Sequence, residues 1–234
     1  MMKFAPVAAL AALCAGPALA VELTGGDLTL GYSTWTDDTS YAKLGVAGSA
    51  EIGFSPEFSV QGDIGTARFL EAGESSSMIA LHGILHTGPG TSLGVFYGTE
   101  KLDGDNKDFY GFEVGQKSSM FEVEAHIGNG ENFDLDGMVG GLSGKYNVTP
   151  VFGLGASYQR ANIDGLDIST TAIRADYEVA PTFTVGAEIG SFRADLDNVN
   201  GRETYIGLSA TKTFGPQDGA TFGRRGILNV IPGL

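Results

Sequence analysis

Three histidines, His82, His86 and His126, are the side chains of this 234-residue chain best suited to acid–base work near neutral pH. His82 and His86 stand four apart, which on a strand puts both on one face. A metal pair needs closer projection, and no acidic ligand stands beside them in sequence. A hydrolase would pair His82 or His126 with a serine near a strand end, such as Ser92 or Ser119, and would lose its activity when that histidine is changed. The chain has no nucleophile elbow, no P-loop and no dinucleotide fingerprint. Its isolated Gly-x-Gly pairs read as strand packing rather than phosphate cradles. No residue is therefore assigned a catalytic, cofactor-binding or metal-binding role, and no cofactor is expected. The single cysteine is Cys14. It falls within the leader described below, and Leu13 before it does not suit lipoprotein processing, so no disulfide or cysteine metal site is expected.

The remaining chemistry is charge, and its placement depends on the elements that carry it. Apolar residues recur at every second position. The clearest case is Tyr205 to Phe214, where Ile206, Leu208, Ala210 and Phe214 alternate with Gly207, Ser209, Thr211 and Thr213. A period of two means a strand with one apolar and one wet face. The same alternation runs through Leu28–Tyr32, Leu44–Phe54, Phe58–Ile64, Ile79–Leu85, Leu93–Tyr97, Tyr110–Val114, Phe121–Ile127, Met138–Val148, Phe152–Tyr158, Ile173–Val179 and Phe183–Ile189. It predicts about twelve strands.

Parity then sorts the charges. Lys43, Lys145 and Arg174 fall on the wet face, as do Glu51, Asp63, Glu113, Glu122, Glu124, Asp176, Glu178 and Glu188. Acids outnumber bases on this face. Among these, Glu51, Asp63, Glu113, Glu122, Glu124, Lys145, Arg174, Asp176 and Glu188 are the candidate pore-lining residues. Small inward residues such as Gly94, Gly111, Gly155, Ser157 and Gly186 are expected to leave room between them. The opposing expectation is that the charges pair across a closed interior and brace it.

Met1 to Ala20 reads as a secretory leader, with Lys3, an apolar run from Phe4 to Leu13, and the small-x-small site Ala18-Leu19-Ala20. Residues 21–214 form one β-domain. Residues 215–234 are expected to hang in the periplasm as a tail. The alternative is a short amphipathic element docked in the lumen or on the membrane, where it would act as a plug. A net charge of -14 argues against nucleic acid as a partner. Connections of two kinds alternate. Tight ones carry Pro, Gly or Ser, as at Pro56, Pro89, Ser118, Pro150 and Pro181. Longer acidic ones lie at Asp37-Asp38, 71–77, 102–108, 130–136, 162–167 and 195–201.

This pattern resembles the porin-like family of Gram-negative outer-membrane β-barrels. The resemblance rests on the closing strand ending at Phe214, on the turn between two strands at Tyr146-Asn147-Val148-Thr149-Pro150, and on aromatics gathered toward strand ends. It implies an all-β, transmembrane, antiparallel up-and-down barrel with short periplasmic turns and longer extracellular loops. It implies residence in the outer membrane among its lipid and lipopolysaccharide, and recognition of the closing strand by the barrel-assembly machinery. The implied function is a passive channel for small hydrophilic solutes or ions, with a preference for cations given the acidic face. Two alternatives stand beside it. One is a closed structural or surface-interaction barrel whose acidic loops bridge cations or bind host ligands. The other is a lipid-modifying enzyme of the outer leaflet. The departure from the family pattern is the tail after Phe214.

Overall fold

A computed structural model describes residues 21–102, 105–132, 135–163, 166–196, 199–226 and 230–232. The leader expected at Met1–Ala20 lies outside the described residues. Twelve strands follow in order: β1 (Glu22–Trp35), β2 (Ala42–Gly53), β3 (Phe58–Phe69), β4 (Ser75–Gly88), β5 (Thr91–Leu102), β6 (Asp105–Lys117), β7 (Phe121–Asn132), β8 (Leu135–Thr149), β9 (Phe152–Ile163), β10 (Leu166–Ala180), β11 (Phe183–Leu196) and β12 (Val199–Phe214). Each pairs antiparallel with its sequence neighbours, and β1 closes on β12 to complete the barrel. The closing register runs from Gly26 opposite Phe214 to Trp35 opposite Tyr205. Closure leaves no sheet edge, the condition a β-structure must meet in lipid.

The period-two pattern explains the facing. Leu28, Leu30, Ile64, Leu81, Phe112, Leu142, Leu154, Ile173 and Leu208 all project outward and are about half exposed or more. Their neighbours in sequence turn inward. On β2, Lys43, Ser49 and Glu51 are buried while Leu44, Val46 and Ile52 are not. An apolar outer wall around a polar interior is stable only with hydrocarbon outside. Strands of twelve residues at ~3.3 Å per residue, tilted by ~40°, rise roughly 30 Å, enough to cross the apolar layer. Phe121, Tyr146, Tyr177 and Phe214 mark one rim of the outer wall, and Tyr32, Tyr97 and Tyr110 lie toward the other. These are the aromatic belts of a membrane barrel.

The two ends differ less in loop length than in strand height. At one end, two residues join β8 to β9 and two join β10 to β11. At the other end, the acidic segments are drawn into the sheet. Pairing continues to Leu102 opposite Asp105, Asn132 opposite Leu135, Ile163 opposite Leu166 and Leu196 opposite Val199. Only the stretches joining β1 to β2 and β3 to β4 are longer there among the described connections. In the first, the Ser40 hydroxyl and amide donate to Asp38 Oδ1 at 2.7 and 3.0 Å and hold that carboxyl below its ordinary pKa. The two ends are called the turn end and the loop end below.

The C-terminal segment does not hang below the barrel. After Phe214 the chain reverses through Gly215, Asp218 and Gly219, all with positive φ. The Gln217 amide donates to Thr24 O at 2.9 Å, and the chain then runs up inside the lumen. Phe222, Arg225 and Val230 are buried within it. The expectation of a periplasmic tail gives way because the lumen offers the described residues of this segment hydrogen-bond partners and apolar contacts from Thr221 to Pro232.

Candidate functional site: a divided lumen

The inward residues of β2 to β6 form a packed wall. The Ser59 hydroxyl donates to Glu51 Oε1 at 2.7 Å, and the Thr221 amide of the C-terminal segment donates to Glu51 Oε2 at 2.8 Å. The Gln61 side-chain amide pairs with the backbone of Phe222 in both directions. It donates to the carbonyl at 2.8 Å and accepts from the N–H at 3.0 Å. His82 is sealed between two carboxylates, with Nε2 2.9 Å from Asp63 and Nδ1 2.7 Å from Glu113. Arg225 Nε donates to the other oxygen of Glu113 at 2.9 Å, and its Nη2 reaches Glu124. The second Glu124 oxygen accepts from the Gly223 amide at 3.0 Å. A carboxylate taken out of water needs such partners, because an unpaired buried charge is costly.

Above this chain of charges lies an aromatic layer. Phe96 and Phe109 are buried with ring centroids 6.3 Å apart, and Phe96 meets His82 at 6.0 Å and His126 at 6.4 Å. These rings occupy the space that neighbouring glycines leave. A side chain at Gly98 would strike Phe109, and one at Gly111 would strike Phe96. Toward the loop end, Val230 packs with Val139, Ala161 and Ile168.

The inward faces of β7 to β12 are different. A cavity of about 690 Å³ opens at the turn end, bordered by Glu122, Ser143, Lys145, Ser157 and Arg174, and on the β4–β6 side by His86, Ser92, Gly115 and Lys117. A second, of about 500 Å³, runs on past Gln159, Thr170 and Tyr205 to Pro232. The two share Glu122, Ser157, Arg174 and Glu188 as walls, so they lie end to end. Arg174 marks their junction. Its Nε donates to Asp176 at 2.7 Å and its Nη2 to Ser209 at 2.6 Å. Across from it, the Tyr205 hydroxyl donates to Glu188 at 2.8 Å.

All the candidate pore-lining residues lie on the inner face, and they separate into two groups. Glu122, Glu124, Lys145, Arg174, Asp176 and Glu188 border the 690 Å³ cavity. Glu51, Asp63 and Glu113 are buried in the packed wall and line no open path. The sequence reading placed no acid beside His82, yet Asp63 and Glu113 flank it from the adjacent β3 and from β6. It set Gln61 on the wet face without a role, did not mark Phe96, Phe109 and Tyr205 as interior groups, and held a place in the lumen for the segment that carries Phe222, Arg224 and Arg225 only as the alternative. Parity alone points Phe96, Phe109 and Tyr205 inward. No such signal marks the C-terminal segment, whose burial depends on vacancies in strands far away in sequence.

The Gram-negative porin family matches residues 86–218. A search of curated proteins finds no match. Among solved structures, the fold is similar to that of the KdgM porin, with a TM-score of 0.59 and 10% identity over 80% of this chain and 99% of that one. It is similar to the KdgM porin in complex with disordered oligogalacturonate, with a TM-score of 0.60 and 9% identity over 80% and 99% of the two chains. An outer membrane channel from Pseudomonas putida F1 gives a TM-score of 0.57 and 12% identity over 84% and 97%. At these identities the likeness is one of fold.

Proposed function

The chain belongs to the Gram-negative porin family, and from that premise we propose that it conducts small hydrophilic solutes and ions passively along the β7–β12 side of its lumen. The carrying observation is the pair of end-to-end cavities of about 690 and 500 Å³, whose walls carry serines, glycines and charged side chains of both signs. Chemistry at the wall is limited to attraction, repulsion and exchange of hydration. Those are the terms on which a porin selects.

Charge along this path is nearly balanced. Lys117, Lys145, Arg174 and Arg224 stand among Glu122, Glu124, Asp176 and Glu188. Opposed signs at the Arg174 junction set up a transverse field. The acids of the packed wall tip the total. Asp63 and Glu113 share His82, Glu113 also pairs with Arg225, and Glu51 is held by the Ser59 hydroxyl and the Thr221 amide with His86 Nε2 3.5 Å away. A modest cation preference is the reading this distribution supports, since low-dielectric walls focus the net potential onto the path. The partners that follow are outer-membrane lipid and lipopolysaccharide around the outer wall, and the barrel-assembly machinery acting on the strand that ends at Phe214. The loop end faces outside and the turn end the periplasm.

The test is a reversal potential in a planar bilayer under a salt gradient. Weak cation selectivity that falls when Glu122 and Glu188 are both changed to Gln is the expected result. Anion selectivity in the unaltered protein would overturn the preference. A second reading, a closed structural barrel, draws on the packed β2–β6 wall. It requires that the purified protein carry no current at all.

A further inference from the structure

We propose that the C-terminal segment from Gly215 is a resident internal plug of this channel, and that its Arg224 and Arg225 are the residues that hold back cation selectivity. The selectivity half rests on the channel reading above. The plug half does not.

The barrel wall is shaped for the segment. The Phe222 ring lies against Gly94 and Gly115, where a Cβ would come within 2.7 and 3.1 Å of it. Two inward glycines on adjacent strands thus make a slot for one aromatic ring. Higher up, a Cβ on Gly226 would come within 2.6 Å of the Glu100 carboxylate. In each of these contacts one partner is a glycine, on the wall at Gly94 and Gly115 and on the segment at Gly226.

The segment's backbone has no regular secondary structure over 220–226, so its polar groups need partners from elsewhere. The wall supplies them one after another. Glu51 takes the Thr221 amide, Gln61 both backbone groups of Phe222, and Glu124 the Gly223 amide. At the loop end, the Ser33 hydroxyl donates to Pro232 O at 2.9 Å and Lys43 Nζ to Ile231 O at 3.1 Å. Anchors therefore run from the turn end to the loop end. Irregular backbone at membrane depth is tolerated only when the protein itself satisfies it.

The arginines give the plug an electrical role. Arg224 pairs with Asp27, and Arg225 bridges Glu113 and Glu124. These acids belong to the barrel and both cations belong to the segment. Guanidinium does not lose its proton in a protein, so the compensation is permanent while the plug is seated. Without it, the lumen keeps its carboxylates and loses two of its cations.

Two measurements on the full-length protein separate the halves of the proposal. In the first, folded protein in detergent is treated with trypsin and weighed by mass spectrometry, beside a heat-unfolded control. The seated plug predicts no cut at Arg224 or Arg225 in the folded protein and ready cleavage in the control. Cleavage of the folded protein at either position would overturn the plug. In the second, the R224Q/R225Q double variant is compared with the parent in a planar bilayer. The expected result is a several-fold rise in the cation-to-anion permeability ratio. An unchanged ratio would overturn the selectivity role. Protection from trypsin with no current in either protein retains the plug and sinks the channel, and with it the selectivity role.

Discussion

On β4 to β6 the inward positions carry His82, Phe96, Phe109 and Glu113. On β8 to β10 they carry Ser143, Lys145, Gly155, Ser157 and Arg174. Both walls come from the same alternation and the same strand height. The first is filled around these residues and meets open space only toward its turn end, at His86, Ser92 and Gly115, while the second borders the two cavities. Strand number sets how wide a barrel is, but not where water runs inside it. That is decided by the volume of the inward side chains and by what else enters. Here the C-terminal segment sides with the bulky wall. Phe222 fills the slot at Gly94 and Gly115, Arg225 lies over the Phe96 ring and completes the charge chain, and the solvated path is pushed against the small residues opposite.

The sharpest way to break the contrast is to unseat the segment. Phe222→Ala removes a buried ring from a fitted slot, a change that costs on the order of 3 kcal/mol or more in a packed core. The expected outcome is new tryptic cleavage at Arg224 or Arg225 and a larger conductance. Gly94→Leu, which fills the same slot from the wall side, should act alike. The next effect separates inside from outside on the open wall. Ile173→Arg, at the middle of β10, sets a charge against lipid and should cost about 2–4 kcal/mol near the midplane, read as a lower denaturant midpoint. Ser157→Arg should leave that midpoint within about 1 kcal/mol, since surface changes usually stay small, and should narrow the current. The smallest effect is Arg225→Lys. It keeps the charge but cannot reproduce the two-carboxylate fork. Ion selectivity should stay near the parent's, while the segment becomes measurably more open to protease.

The barrel, its strands and their facing were legible because lipid outside and water inside force a strict period of two. Leu154 and Ser157 sort themselves by parity alone. The heights of the acidic hairpins were not, because Asp105, Asp167 and Asp195 look like loop residues and yet pair as strand. Nor was the meaning of the inward glycines. Gly94, Gly98, Gly111 and Gly186 read as open space, but they are vacancies filled by Phe222, Phe109, Phe96 and Arg174. Gly155 has no such occupant and borders the 690 Å³ cavity. Telling the two kinds apart needs cross-strand neighbours. Glu113 stands opposite Gly94, and Gln61 opposite His82. The local period gives the face of a residue but not the residue that will meet it there.

The central claim, a lumen open along one wall and filled over the body of the other, is tested most directly by thiol accessibility under current. The native Cys14 precedes the expected leader cleavage site, so single cysteines can be placed without a background thiol. Ser157→Cys stands on the open wall and Ser49→Cys on the filled one. With a bulky, charged methanethiosulfonate added to an open channel, the account predicts a stepwise fall in conductance at Ser157→Cys and none at Ser49→Cys. Equal modification at both positions, or block at Ser49→Cys alone, would contradict it.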